Sequence, residues 1–319
     1  MNILTIDFET YYDKQYSLSK LTTEAYIRDD QFEVIGVAVK QSGGETQWFS
    51  GTKQKTKEFL DSFDWGNSLA VAHNAMFDMA ILSWHFDIKP KMIADTLSMS
   101  RAIHSVEVGG SLKALCSYYH LGAKGDEVIN ALGKRRIDFD DDSLARYAGY
   151  CIQDVDLTEK LFGVLLPNIN KTEAKLIDLT LRMFTEPVIE LDTAVLDTHL
   201  EAVKKKKAEL MAKIDVDRKE IMSNPKFAEL LKEQGVVPPM KISPANGKET
   251  FAFAKSDEEF RALLEHPNTT VQALVSARLG VKSTIEETRT ERFINIAMRG
   301  TMPIPLRYYA AHTGRWGGD

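Results

Sequence analysis

A short β-rich run at residues 2–8 opens the chain and ends in Asp7-Phe8-Glu9-Thr10. Two further strands are predicted at residues 32–41 and 45–50, joined by the turn Ser42-Gly43-Gly44, so the chain begins as an antiparallel meander. An amphipathic helix follows at residues 53–63, then a buried strand at 68–72 and a second helix at 74–86 with Asn74 as its N-cap. Residues 91–96 read as a last short strand. Farther on, residues 143–166 keep helical spacing. Leu144, Ala148, Cys151, Val155 and Phe162 make the core stripe, and Tyr147, Tyr150, Asp154, Leu157 and Leu161 the adjoining one. Strands followed by alternating helix and strand predict an α/β domain with a mixed sheet of about five strands, closed by this last helix.

The pattern breaks at residues 167–171, which sets a boundary between a first domain at 1–168 and a second at 169–319. The second is mainly helical. Helices are predicted at 172–185, from a cap at Asp192 toward Met222, and at 256–265, 270–279 and 282–298. A short strand is predicted at 187–191, a hairpin turns at Asn246-Gly247, and residues 302–309 are β-like. The lysine run 204–207 reads as a solvated face of the long helix.

Composition changes this picture little. The net charge of −6 divides unevenly: residues 1–166 hold 17 Lys+Arg against 24 Asp+Glu, and residues 167–319 hold 23 against 22. An acidic half is expected where carboxylates gather to hold divalent metals. Two cysteines, Cys116 and Cys151, are too few for a disulfide framework or a thiolate metal site. No apolar run approaches the roughly 18–20 residues that span a bilayer, so a cytoplasmic protein with no membrane partner is expected.

The candidate chemistry lies in separated acids. Asp7 and Glu9, two apart on a strand, point to one face and reach one point beyond the strand end. Tyr150 and Asp154, four apart on a helix, share a face one turn apart, with Asp154 at the margin of the buried stripe. A carboxylate in that position needs a base or a metal, because leaving it desolvated and alone is costly. Asp78 falls one turn into the 74–86 helix, with Asp95 as a competitor for the same role and His73 as a structural neighbour. Hard oxygens at this density suit Mg²⁺ or Mn²⁺.

These residues resemble the three motifs of the DEDD superfamily of 3′-5′ exonucleases, which stand here as Asp7-Phe8-Glu9, Asn74-x-x-x-Asp78 and Tyr150-x-x-x-Asp154. The other branch of that superfamily has His where this chain has Gly149, so the chain resembles the tyrosine branch. The resemblance implies an RNase H-like sheet domain and two divalent ions, Mg²⁺ or Mn²⁺, held by Asp7, Glu9, Asp78 and Asp154. Asp7 would bridge both ions, with Glu9 and Asp154 to one side and Asp78 assisting. Tyr150 would orient the attacking water, since a pKa of about 10 leaves it protonated. Thr10 and Asn74 are implied contacts to the terminal nucleotide. The region 109–142, with Lys134-Arg135-Arg136, reads either as a DNA contact or as a solvated loop.

The sequence Ala311-His312-Thr313-Gly314-Arg315-Trp316 resembles the Thr-Gly-Arg motif that opens the polymerase core of family A DNA polymerases, especially phage ones. Segments from Thr172 onward resemble the first palm helix and the thumb of that family, and Arg315 would contact duplex DNA near the primer end. In the family the fingers and the palm acids follow this motif, whereas the sequence ends at Asp319. The expectation is a proofreading exonuclease acting on single-stranded 3′ ends and primer-template, joined to a truncated thumb and palm fragment. DNA synthesis would require the missing C-terminal polymerase part. The rival readings are a ribonuclease D-like exoribonuclease and a DNA-binding module with a vestigial nuclease site.

Overall fold

The computed structural model describes residues 1–105, 107–123 and 131–318. These form two compact units, one of residues 1–189 with 301–319 and one of residues 190–300.

The first unit is built on a five-stranded mixed sheet. Its strands are β1 (Asn2–Thr10), β2 (Val34–Gln41), β3 (Thr46–Phe49), β4 (Ser68–Ala72) and β5 (Met92–Asp95), in the order β3-β2-β1-β4-β5. The meander β1-β2-β3 is antiparallel, and β1, β4 and β5 run parallel. β4 is buried along its whole length, as a strand covered on both faces requires. Interleaved helices are α1 (Thr23–Ile27), α2 (Lys53–Asp61), α3 (Met76–Phe86), α4 (Thr96–His104), α5 (Leu112–Tyr118), α6 (Asp141–Leu165) and α7 (Lys171–Thr185). Of these, α1, α4 and α5 lie outside the predicted elements. They are short, and each is started by a side-chain cap (Thr22, Asp95 and Ser111) rather than by a long apolar stripe.

Two features of β1 shape its acid end. Its pairing with β4 covers only Asn2 to Thr5, while its pairing with β2 continues to Thr10. The β2 register shifts between Glu9 and Thr10, an irregularity that re-aims side chains at a strand end. Opposite Glu9 stands Gly36, and a Cβ there would meet the Trp48 ring at 2.2 Å. Only glycine lets that indole cover the strand.

Compactness does not divide the chain at residue 168. α7 belongs to the first unit, because Asp178 accepts from the Ile93 amide at 2.8 Å and Arg182 donates to the Pro90 carbonyl at 2.8 Å. The Trp84 indole also donates to the Thr185 carbonyl at 2.9 Å. Residues 301–318 return to the same unit. The Trp316 indole donates to Thr180 Oγ1 at 3.0 Å, and Leu306–Arg307 pairs with Gly317–Gly318. Instead of a strand at 187–191 there is a single bridge between Ile189 and Met302.

The second unit comprises α8 (Thr193–Met211), α9 (Arg218–Met222), α10 (Asn224–Glu233), the hairpin β6 (Met240–Ile242) and β7 (Glu249–Phe251), α11 (Glu258–Ala262), α12 (Thr269–Val281) and α13 (Ile285–Arg299). The helix capped by Asp192 ends at Met211 rather than near Met222, since Asp217 and Ser223 each supply a new N-cap and start α9 and α10. Phe227, Leu231, Phe253, Phe260, Leu274 and Val275 form the core. Within it Arg278 is fully buried, donating to the Ile221 carbonyl and to Asn224 Oδ1 and lying 5.0 Å from the Phe227 ring centroid. Two members of the lysine run bind acids of α13: Lys204 to Glu291 and Lys207 to Glu287.

Candidate active site

The acid end of β1 projects past the last residue paired with β4, so one of its backbone groups lacks a strand partner on that side. The Phe8 amide donates instead to Asp78 Oδ1 at 3.0 Å. Asp78 lies in the first turn of α3 and is buried at 3% exposure. Burial holds its carboxyl well above the usual carboxylate range, the negative charge of Asp7 adds to the rise, and the Phe8 hydrogen bond opposes it. Asp7, Glu9 and Asp78 therefore share one neighbourhood, although 70 residues separate Phe8 from Asp78.

The third side is α6, whose start is capped by Asp140 accepting from the Ser143 amide. Helical periodicity puts Tyr147, Cys151, Asp154 and Val155 on the buried face and leaves Tyr150 half-buried. The Cys151 thiol donates to Asp7 Oδ2 at 3.3 Å and to the Asp7 carbonyl at 3.4 Å. One carboxylate oxygen each from Asp7 and Glu9 lies within 4.8 Å of the other and of Cys151 Sγ. Burial pushes the Cys151 thiol up, and the charges of Asp7, Glu9 and Asp154 push it further, so it stays protonated. Burial raises the Tyr147 hydroxyl, and the negative charge of nearby Glu9 raises it further. Asp154, 7% exposed, is thus the fourth acid of the group, with Tyr150 one turn before it.

Thr10 and Asn74 flank these acids. Thr10 Oγ1 lies 2.8 Å from Tyr26 Oη, whose hydroxyl in turn donates to the Tyr11 carbonyl. Asn74 is not the N-cap of α3. The helix starts at Met76 after Ala75, and Asn74 occupies a left-handed turn at φ 67°. That turn is held by Asp95 Oδ1, which accepts from the Asn74 amide at 2.8 Å and the Ala75 amide at 3.2 Å. The same Asp95 caps α4 by accepting from the amides of Leu97 and Ser98. Asp95 is therefore occupied in shaping the chain between β4 and α3, and does not compete with Asp78. His73 is similarly engaged, with Nδ1 2.8 Å from Thr96 Oγ1 and Nε2 3.0 Å from the Gly110 carbonyl.

Arg315 is not brought into the acid group. It is exposed on the C-terminal segment, where its Nε donates to Thr313 Oγ1 at 3.2 Å. In the 109–142 region, α5 replaces part of the expected loop, and residues 124–130 lie outside the described residues. Arg135 bridges to Glu33 at 2.9 Å and stacks 4.0 Å from the Tyr11 ring centroid.

The donor set fits a hard divalent cation. Its oxygens are carboxylates; burial first and the neighbouring Asp7 charge second raise Asp78 above the usual carboxylate range, and a bound cation would oppose both effects. Tyr147 and Cys151 escaped the sequence reading as site residues because they passed for core. Their spacing of four, in step with Tyr150 and Asp154, was the available signal.

Comparison with known proteins gives three results. A family profile of 3′-5′ exonucleases of the DNA polymerase A type matches residues 7–170. No curated protein matches. Among solved structures, the POL domain of Pol1 from M. smegmatis in complex with DNA primer-template and dNTP aligns over 99% of this chain and 50% of its own, at 13% identity and TM-score 0.57. The chain thus spans half the length of that domain. Brucella melitensis NrnC aligns over 57% of this chain and 80% of its own, at 16% identity and TM-score 0.43. Trypanosoma brucei RNase D in complex with RNA U12 aligns over 58% of this chain and 62% of its own, at 14% identity and TM-score 0.43. At such identities the likeness is one of fold.

Proposed function

The chain belongs to the 3′-5′ exonuclease family of the DNA polymerase A type, and from that premise we propose that it removes nucleotides from DNA 3′ ends as the proofreading part of a family A polymerase. The observation that supports this reading is that Asp7 and Glu9 of β1 lie beside Cys151 of α6, that Asp78 of α3 accepts from the Phe8 amide, and that Asp154 follows Cys151 by three residues on the buried face of α6. The four acids are the residues that would hold the metal. When bound, two divalent ions, Mg²⁺ or Mn²⁺, supply an activated water and neutralise charge on the phosphodiester and the leaving 3′ oxygen.

The protein's own groups do the rest. Tyr150, half-buried and one turn before Asp154, orients the attacking water toward the phosphorus. Asn74, exposed on its left-handed turn, and Thr10, at the irregular end of β1, contact the terminal nucleotide. A mismatched end is preferred because separating it from its template costs little. Residues 1–168 form the exonuclease domain on this reading. Residues 169–319 are thumb and palm segments of a polymerase, with Arg315 on duplex DNA near the primer terminus.

Labelled single-stranded DNA incubated with Mg²⁺ tests the proposal. Cleavage from the 3′ end is expected, Asp7→Ala should abolish it, and RNA of the same sequence should be cut more slowly. Undiminished activity in Asp7→Ala would sink the acid assignment, and faster cutting of RNA would favour the ribonuclease reading.

A further inference from the structure

The helix α6 presents a second pair of side chains to the acids of β1. Tyr147 and Cys151 lie one turn apart on the buried face, 4% and 0% exposed; Cys151 donates to Asp7 Oδ2, and Tyr147 lies near enough to Glu9 to feel its charge. A carboxylate at a strand end turns freely about its side-chain bonds unless a donor behind it selects one rotamer. Donors that fix a ligand from outside the metal's own shell set the geometry the ion meets.

Both side chains are themselves locked. The Tyr147 ring stacks on Phe139 at 5.3 Å between centroids and 6° between planes. Cys151 packs with Val155 and with Ala38, the β2 residue directly opposite Asp7 in the ladder. Movement of α6 along the sheet would break both contacts together. The chemistry of the two side chains also suits the task. A thiol is a weak donor that leaves most of the Asp7 charge available to a cation, and a phenol donates one directional bond without adding charge.

We propose that Tyr147 and Cys151 are positioning residues, which hold the Glu9 and Asp7 carboxylates in the orientation that a divalent cation requires. The inference rests on the metal role proposed above. It assigns two functions to one helix: residues 150 and 154 face the reaction, and residues 147 and 151 set the acids of the neighbouring strand.

The test is Mn²⁺ binding to the full chain, followed by electron paramagnetic resonance, with the metal dependence of cleavage measured alongside. Tyr147→Phe and Cys151→Ala should each weaken Mn²⁺ binding by about tenfold, with the cleavage rate recovering as Mn²⁺ is raised to saturation. Cys151→Ser keeps a donor and should restore most of the lost affinity. Wild-type Mn²⁺ affinity in both Tyr147→Phe and Cys151→Ala would overturn the positioning roles, as would a Cys151→Ser protein no better than Cys151→Ala. Asp7→Asn should lose Mn²⁺ binding altogether. Retained binding in that variant would overturn the metal reading itself, which separates the two failures.

Discussion

Asp78 combines a cost to stability with a proposed role in holding metal. Its carboxylate is buried beside Asp7 and Glu9, and the hydrogen bond from the Phe8 amide opposes the resulting rise in its pKa without cancelling it. Asp78→Asn keeps an oxygen for the Phe8 amide and removes a negative charge from the crowd. The metal-free protein should gain about 0.5–2 kcal/mol, read by urea denaturation in the presence of a chelator, while metal binding weakens. Tyr150 should behave differently, since its proposed role is to orient the attacking water rather than to hold the ions. Tyr150→Phe is expected to slow cleavage by about 10²-fold with Mn²⁺ affinity unchanged, and a loss of affinity would show that its role is misassigned. The spacing of Asp7, Glu9, Tyr150 and Asp154 was visible in the chain, because strand and helix periods alone place each pair on one face. The Tyr147 and Cys151 contacts were not, because a buried tyrosine and a buried cysteine look the same in sequence whether they touch leucines or carboxylates.

At the scale of elements, the turn between β4 and α3 depends on Asp95. One carboxylate serves four backbone amides, those of Asn74, Ala75, Leu97 and Ser98. Asp95→Ala should therefore destabilise by about 3 kcal/mol or more in denaturant unfolding, since it removes a cap and leaves buried donors without an acceptor. The sequence pattern placed Asn74 as the cap, reasoning from its type and its place before an apolar run. A side chain 21 residues away settled the turn otherwise. In α6, Gly149 is exposed and a Cβ there meets nothing within 4 Å. Gly149→Ala should raise stability by about 0.5–1 kcal/mol, the backbone entropy of a mid-helix glycine, without changing the rate of cleavage.

For the molecule as a whole, two separate cores predict two separable transitions. The first unit contains all four tryptophans, Trp48, Trp65, Trp84 and Trp316, while helices of both units contribute to circular dichroism. Arg278 anchors the second core, and burial lowers its guanidinium to about 10, so it remains charged at neutral pH. Arg278→Met leaves the Ile221 carbonyl without its Arg278 donor and Asn224 Oδ1 with the longer bond from Lys282, and should destabilise the second unit by about 1–3 kcal/mol. Part of the dichroism transition should then move to lower denaturant while tryptophan fluorescence holds its midpoint. Coincident shifts of both probes would show the two units to unfold as one. The change of pattern at residues 167–171 was legible, although compactness does not divide the chain there. The attachment of α7 and residues 301–318 to the first unit was not, because it depends on hydrogen bonds such as Trp316 to Thr180 across 136 residues.

Local periodicity determined from the sequence alone that a meander comes first, that β4 is buried and that a long helix with two stripes closes the sheet domain. The acids and their spacings were equally plain, and with them the family. Only the tertiary structure decided that β1 outruns β4, which frees the Phe8 amide for Asp78, and that α6 lies against β1 in the register that sets Cys151 on Asp7 and brings Tyr147 near Glu9. Periodicity reports the face a side chain occupies on its own element. Which residue of another element meets that face depends on strand register and helix placement, and these are set by packing between segments far apart in the chain, 70 residues for Phe8 and Asp78 and 144 for Asp7 and Cys151.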